Sequence, residues 1–273
     1  MRAKQEVRFT KEIIDILDRK HSKKVVDLED YGKSLKKNKK FIPFIEGRYY
    51  SLNFALDKIK NALIIEIASG LSPRALEYSK RKDIIYLDTD LNNIISIKKE
   101  VLGEIALKNK LDISRISFLS INPLNIKDLD KIGRIYRDNF KDKKLIFISE
   151  GLLMYLSKKE KDKLLKNIRH IFKKYAQNGF WLTTDFSRIE KKDKKKGIEN
   201  IRNKISKFIG RRFHDFESET DAENILVKNK LVYEKLDNKP EINSLIKKKS
   251  LSQYKQEILD SSDNYRVWKI SLN

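Results

Sequence analysis

The sequence predicts an α/β fold: a mostly parallel sheet with helices on both faces. Two observations carry that expectation. From about residue 61 to residue 186, short apolar runs alternate with segments of helical period. The turns that follow the apolar runs collect small or acidic residues, as at strand ends that open onto a ligand.

The elements follow in order. Thr10 can cap a helix in which Ile13, Ile14, Ile16 and Leu17 face one way and Glu12 suits the positive end of the helix dipole. The lysine-rich run Lys33–Phe41 reads as an exposed connection, and Asn53–Lys60 as a helix leading into the first strand. Strands are expected at Leu63–Ile67, Ile84–Leu87, Ile116–Leu119, Leu145–Ser149 and Phe180–Thr184. Crossover helices are expected at Pro73–Lys80, Asn92–Asn109 and Asp128–Phe140. A further helix begins at Ser157, with Glu160 three residues on completing a capping box. Its apolar face runs Leu164, Leu165, Ile168, Ile171, Phe172 and Tyr175, and Gly179 lies just beyond it. After Asp185 the pattern changes. Glu190–Gly210 is a charged helical segment, and Ser218 with Asp221 is another capping signal. Leu231–Leu236 and Tyr265–Leu272 read as an antiparallel edge pair finishing a seven-stranded sheet.

Composition narrows the function classes. No cysteine is present, which excludes disulfides, a thiolate zinc site and a cysteine nucleophile, and makes the cytoplasm the natural compartment. No apolar run is long enough to span a membrane, and the N-terminus lacks the apolar region of a signal peptide. The formal net charge is +22. Such a surplus suits phosphate binding, but acids are interleaved with the lysines on every amphipathic segment, so the expected reading is a solvated surface rather than a contiguous basic face.

The chemistry-bearing residues sit at strand ends. Asn61–Arg74 (NALIIEIASGLSPR) joins a buried strand to the turn Ala68-Ser69-Gly70 and then to Ser72-Pro73, a helix-capping serine with proline at the first helical position. Gly70 allows close backbone approach to a ligand, although a tight turn alone would also use it. The missing glycines and Pro73 argue against a dinucleotide fingerprint. About twenty residues on, Asp88 and Asp90 compete for the ribose hydroxyls of a nucleotide-like ligand, one of them capping the helix that follows Leu91. Asn122 follows the third strand, where it can meet an adenine edge or form a turn before Pro123. Glu150 follows the fourth strand, where a carboxylate is poorly suited to a packed core. Arg48 precedes the first strand and could form a bidentate pair with a carboxylate.

With EGLLMYL at Glu150–Leu156 followed by a Lys- and Glu-rich helix, the chain resembles the leucine carboxyl methyltransferase family, including its bacterial polyketide-type O-methyltransferase relatives, from about Arg48 to Leu272. The resemblance implies a Rossmann-like class I methyltransferase fold and S-adenosylmethionine as cofactor, with S-adenosylhomocysteine as product. It puts Arg48 on the cofactor carboxylate, Ala68 and Gly70 in the first turn, Asp90 on the ribose with Asp88 as its neighbour, and Glu150 near the methionine moiety. Where the family's first turn reads Gly-Ala-Gly, this chain has Ala68-Ser69-Gly70, a replacement that weakens the motif and is tolerable if Ala68 keeps a negative φ. Asn122 stands where an acidic residue is usual. The chain then reads as one methyltransferase domain over residues 1–273. Its parts are an N-terminal helical cap at 1–60, a cofactor-binding core at 61–186, a helical lid at 187–230 and a C-terminal strand pair at 231–273.

The expected reaction is methyl transfer to a carboxylate or hydroxyl of a small molecule or peptide end, with no metal. A carboxylate acceptor needs no general base, whereas a hydroxyl usually does. Of the three histidines, His21 ends the first helix, His170 reads as surface, and His214 lies in the segment that would cover the acceptor, making it the weak candidate base. Tyr49, Tyr50, Tyr155, Phe186 and Phe213 could line an acceptor pocket or simply pack. A nucleic-acid methyltransferase is the alternative, disfavoured because Glu150-Gly151-Leu152-Leu153 replaces the Asn/Asp-Pro-Pro-aromatic turn of amino-group methylation. A homologue that binds the cofactor without catalysis is a third reading.

Overall fold

A computed structural model describes residues 9–21, 41–186, 203, 206–207, 210–236 and 266–273. The expected exposed run at 33–40, most of the charged segment at 190–210 and most of the expected lid lie outside the described residues.

Seven strands form one sheet in the order β3-β2-β1-β4-β5-β7-β6. They are β1 (Ala62–Glu66), β2 (Ile84–Asp90), β3 (Ile116–Ser120), β4 (Lys144–Ser149), β5 (Phe180–Thr183), β6 (Leu231–Leu236) and β7 (Val267–Leu272). The first five run parallel, and β7 enters antiparallel between β5 and β6. The late pair therefore joins the sheet through its second strand, and β6 forms the edge. This is the Rossmann-like seven-stranded arrangement expected of the methyltransferase fold.

Two apolar layers explain why the central strands lack an alternating pattern. Leu63, Ile65 and Phe147 point to one face, where they meet α5 (Ile126–Asn139), α6 (Lys158–Tyr175) and α7 (Glu219–Lys228). Ala62, Ile64 and Ile146 point to the other, against α1 (Thr10–His21), α2 (Phe41–Asp57), α3 (Arg74–Tyr78) and α4 (Asn92–Lys108). Apart from the charged and polar residues at their carboxyl ends, the central strand positions are apolar because each face is covered. Trp181 and Trp268, adjoining strand residues on β5 and β7, are both fully buried and anchor the first layer.

Two helix starts differ from expectation. The helix before β1 spans Phe41–Asp57, not Asn53–Lys60. Pro43 sits in its first turn, where a missing N–H costs nothing, and Gly47 is accommodated inside it. The helix after β1 begins at Arg74, with Pro73 rather than Ser72 at the cap position. Ser72 Oγ instead accepts the backbone N–H of Arg74 at 3.3 Å. The capping box of α6 forms as read: Ser157 Oγ accepts from Glu160 N at 3.3 Å, and Glu160 Oε2 accepts from Ser157 N at 2.9 Å. Ser218 caps α7 by accepting from Asp221 N at 3.0 Å. Among the described residues, no helix is long and apolar enough to cross a membrane.

Candidate functional site

Strand order reverses between β1 and β4, whose carboxyl ends therefore border the crevice where open α/β sheets bind ligands. The turn after β1 is held on both sides: Ile67 N donates to Ile148 O at 2.9 Å and Ser69 N to Thr89 O at 3.0 Å. Ala68 has φ +52, so the condition of a negative φ is not met and this non-glycine residue occupies the left-handed region that a glycine would take without strain. The flanking strands impose that conformation through those two hydrogen bonds. Gly70 is also left-handed, at φ +53, and a Cβ built on it would meet no atom within 4 Å. The space in front of it is open, as close approach of a ligand to the backbone requires.

The two aspartates of β2 divide sharply. Asp88 is fully buried and accepts a hydrogen bond at 2.8 Å from Nζ of Lys98, itself fully buried on α4. Burial pushes its carboxyl up to about 6 despite the lysine, with Glu66 adding in the same direction. Asp90, the last residue of β2, sits at the crevice and accepts Gly70 N with one oxygen and Leu91 N with the other, both at 2.7 Å. Burial raises its pKa, and those two backbone donors oppose the rise. Asp90 is thus the residue that both faces the opening and caps the turn into α4.

Glu150 is tied to a buried cation. Arg74, fully buried on α3, donates to Glu150 at 2.6 Å and also to Glu66 on β1 and, at 2.7 Å, to Asn53 on α2. Tyr86 Oη donates to the other oxygen of Glu66 at 2.6 Å, and the guanidinium lies 4.4 Å from the Tyr49 ring centroid. Burial acts against the charge of Arg74, but Glu66 and Glu150 outweigh it and raise the pKa well above the ordinary value. Glu150 itself is partly exposed, so this chain of contacts runs from the interior to the crevice.

Arg48 on α2 is buried, with Nε donating to Thr184 Oγ1 at 3.0 Å and an Nη pairing with Asp185 at 2.5 Å. Asp185 was not singled out from the sequence. It accepts the backbone N–H groups of Gly151, Leu152 and Leu153 at 2.6, 2.8 and 3.1 Å, and so fixes the turn that carries Glu150. Its signal was its place just beyond the fifth strand, where sequence reasoning weighed only the first four strand ends. Glu66, Asn53 and Lys98 were missed for another reason: each lies inside an element, where nothing marks it as polar network rather than surface.

Asn122 is exposed beyond β3, and its Oδ1 accepts Leu124 N at 3.0 Å, closing a turn around Pro123. His170 is exposed and bonded to Asp130 at 3.2 Å. His214 is exposed as well, but its backbone docks the segment onto the turn after β4: its N–H donates to Met154 O at 2.7 Å and its carbonyl accepts from Lys161 Nζ. The Phe213 ring lies 5.0 Å from that of Tyr155. Tyr49 packs beneath Arg74 and Phe186 is buried against Trp181, Phe216 and Trp268, so these two belong to the packed interior. Among the described residues, no group of three or more His, Asp or Glu side chains could hold a metal ion.

The charge balance here is the reverse of the chain's. Among the described residues, the five carboxylates Glu66, Asp88, Asp90, Glu150 and Asp185 are set against Arg48, Arg74 and Lys98, with Lys161 acting on Asp185 as well, so carboxylates outnumber cations here in a protein of net +22.

The family model described as leucine carboxyl methyltransferase matches residues 12–169, more than half of the chain. No curated protein matches it in sequence. Among solved structures, it is similar to the geranyl diphosphate C-methyltransferase of Streptomyces coelicolor A3(2), solved with Mg2+, geranyl diphosphate and S-adenosyl-L-homocysteine, at 11% identity and a TM-score of 0.44, covering 81% of this chain and 75% of that one. It is similar also to an O-methyltransferase family protein of Burkholderia thailandensis, at 10% identity and a TM-score of 0.46, covering 78% and 51%. With the mitomycin 7-O-methyltransferase the values are 12% and 0.44, covering 64% and 44%. The chain spans about half the length of the last two, and likenesses this distant carry no argument about function.

Proposed function

The chain belongs to the leucine carboxyl methyltransferase family, and from that premise we propose that it is an S-adenosylmethionine-dependent O-methyltransferase acting on a carboxylate or hydroxyl of a small molecule or peptide end. The observation that carries the cofactor assignment is the acid surplus at the β1/β4 crevice. A ligand bearing both a sulfonium and an ammonium is attracted to such a site, whereas a phosphate-rich nucleotide is repelled. When bound, S-adenosylmethionine supplies an electrophilic methyl group.

The residues of this chain then have distinct tasks. Gly70 leaves room for the ligand at the backbone, and the turn containing Ala68 shapes that approach. Asp90 accepts the ribose hydroxyls, while Asp88, buried against Lys98, supports the strand from within. Glu150, oriented by Arg74 and by the Asp185-bound turn, faces the ammonium. Arg48 meets the carboxylate, and Asn122 offers its amide to the adenine edge. Methyl transfer is an in-line displacement, so holding donor and acceptor in line supplies most of the acceleration. A carboxylate acceptor arrives ionised and needs no base. For a hydroxyl acceptor, His214 is the candidate to take the proton.

Titration calorimetry with S-adenosylhomocysteine tests the assignment. The protein binds it, Asp90→Ala weakens binding by about 1–3 kcal/mol through lost charge-assisted hydrogen bonds, and Glu150→Gln raises the apparent cofactor KM more than it lowers turnover. Heat from NAD or ATP but none from S-adenosylhomocysteine would remove the methyltransferase reading. A larger loss with Asp88→Ala than with Asp90→Ala, melting temperatures being equal, reverses the ribose assignment. Intact cofactor binding with abolished transfer in Glu150→Gln places that residue on the acceptor instead.

A further inference from the structure

On the opposite end of the molecule from the crevice, six basic side chains converge on one surface cleft of about 380 Å³. Lys166, Arg169, His170 and Lys173 come from the middle and end of α6, Lys228 ends α7, and Lys230 lies in the turn between α7 and β6. The topology separates the two places. Helix α6 runs from the carboxyl end of β4 back to the amino end of β5, and α7 runs back to the amino end of β6, which is parallel to β5. Arg169 is twelve residues beyond the Ser157 cap, about 18 Å along the helix axis.

The charge of this cleft is largely uncompensated. Asp162 pairs with Lys166 at 2.7 Å and approaches Lys228 at 3.7 Å, and His170 is bonded to Asp130 at 3.2 Å. Among the described residues, Arg169, Lys173 and Lys230 have no carboxylate partner. Arg169 Nε is buried without any hydrogen-bond partner, an N–H donor whose desolvation is left unrepaid. The interleaving of acids expected from the sequence thus fails at this face.

We propose that this cleft is a binding site for an oligophosphate anion, a di- or triphosphate chain held by Arg169, Lys173 and Lys230 with Lys166 and Lys228 at its edge. Five permanent cations with two adjoining carboxylates, Asp162 and Asp130, leave a positive surplus that suits a di- or triphosphate. Guanidinium and ammonium donors converging on one concavity suit the several oxygens of a phosphate chain. The volume is that of a small-ligand site. Among the described residues the lining holds no Phe, Tyr or Trp ring, and its single imidazole, His170, is held by Asp130, so a single-stranded nucleic acid lacks a run of stacking platforms. The site is independent of the cofactor assignment.

Calorimetry of the full chain with inorganic tripolyphosphate at physiological salt tests the proposal, with thermal melting as the check on folding. The wild type binds. Arg169→Gln with Lys173→Gln weakens binding at least tenfold. Lys99→Gln with Lys108→Gln, which removes equal charge from α4 on the other face, changes it less than twofold. ATP competing as well as tripolyphosphate identifies a nucleotide as source of the chain, and failure of ATP to compete identifies a free polyphosphate. Absence of tripolyphosphate binding by the wild type, equal losses in the two double variants, or binding of a single-stranded RNA that tripolyphosphate does not displace would each overturn it.

Discussion

Asp88 and Asp90 share one face of β2, because residues two apart in a strand point the same way. What separates them is depth. Asp88 lies one pleat further in, under α4, where Lys98 reaches it; Asp90 lies at the strand's last position and meets backbone donors at the crevice. Strand parity cannot tell such a pair apart, which is why the sequence left both open. Burial raises the Asp88 carboxyl to about 6, above the ordinary value near 3.9 that it regains on unfolding. The sign follows from proton binding: the folded state holds this proton more tightly, so the contribution of Asp88 to stability is full below about pH 4 and is lost as pH rises through 6. A carbon-detected NMR titration should find the Asp88 carboxyl with a midpoint near 6, and a midpoint below about 3.9 would mean that Lys98 outweighs burial. The strand-end acids Asp90 and Glu150 were legible in the sequence because a carboxylate after an apolar run has few structural uses. Asp185 was equally placed but follows Thr183 and Thr184, and only the fold shows its oxygens turned back onto the turn after β4.

Elements were legible where local chemistry marks them. The start of α6 is specified by Ser157 and Glu160, whose side chains satisfy each other's backbone N–H groups, and its apolar stripe packs against Phe147 and the rest of that layer. Ser157→Ala should lower stability by about 1 kcal/mol in urea unfolding, the usual cost of losing such a cap. A loss within error would mean that Arg211, which also pairs with Glu160 at 2.9 Å, holds this helix end unaided. Helix α2 begins earlier than the Asn53–Lys60 reading because it is held by tertiary packing, as of Leu52, Ala55 and Leu56, that the local sequence does not mark. The place of β7 between β5 and β6 was equally hidden. Two terminal strands announce an antiparallel pair, but which of them meets β5 depends on contacts such as Trp181 opposite Ile270, far apart in the chain.

At the scale of the whole molecule, charge is sorted along the strand direction. Among the described residues, carboxylates outnumber cations where the strands end, and cations dominate the cleft between α6 and the end of α7 near where β5 and β6 begin. A net charge of +22 by itself suggests a nucleic-acid substrate, but among the described residues the strand ends beside the proposed donor site carry more carboxylates than cations. Glu150-Gly151-Leu152-Leu153 follows β4, held by Arg74 and Asp185, in place of a base-methylating turn. The chain lacks a cysteine for covalent attack on a pyrimidine. Methyl groups should therefore end on oxygen. With methyl-labelled S-adenosylmethionine and a mixture of small carboxylic acids, phenols and peptides, label should enter these and not transfer or ribosomal RNA. Release of the label as methanol in mild base would identify a carboxyl ester, and turnover would then be indifferent to His214→Ala. Label stable to base would identify an ether, and the same substitution should then lower turnover by roughly 100-fold, the contribution of a positioned general base. Stable incorporation into RNA would assign the crevice to a nucleic-acid acceptor and retire the O-methyltransferase reading.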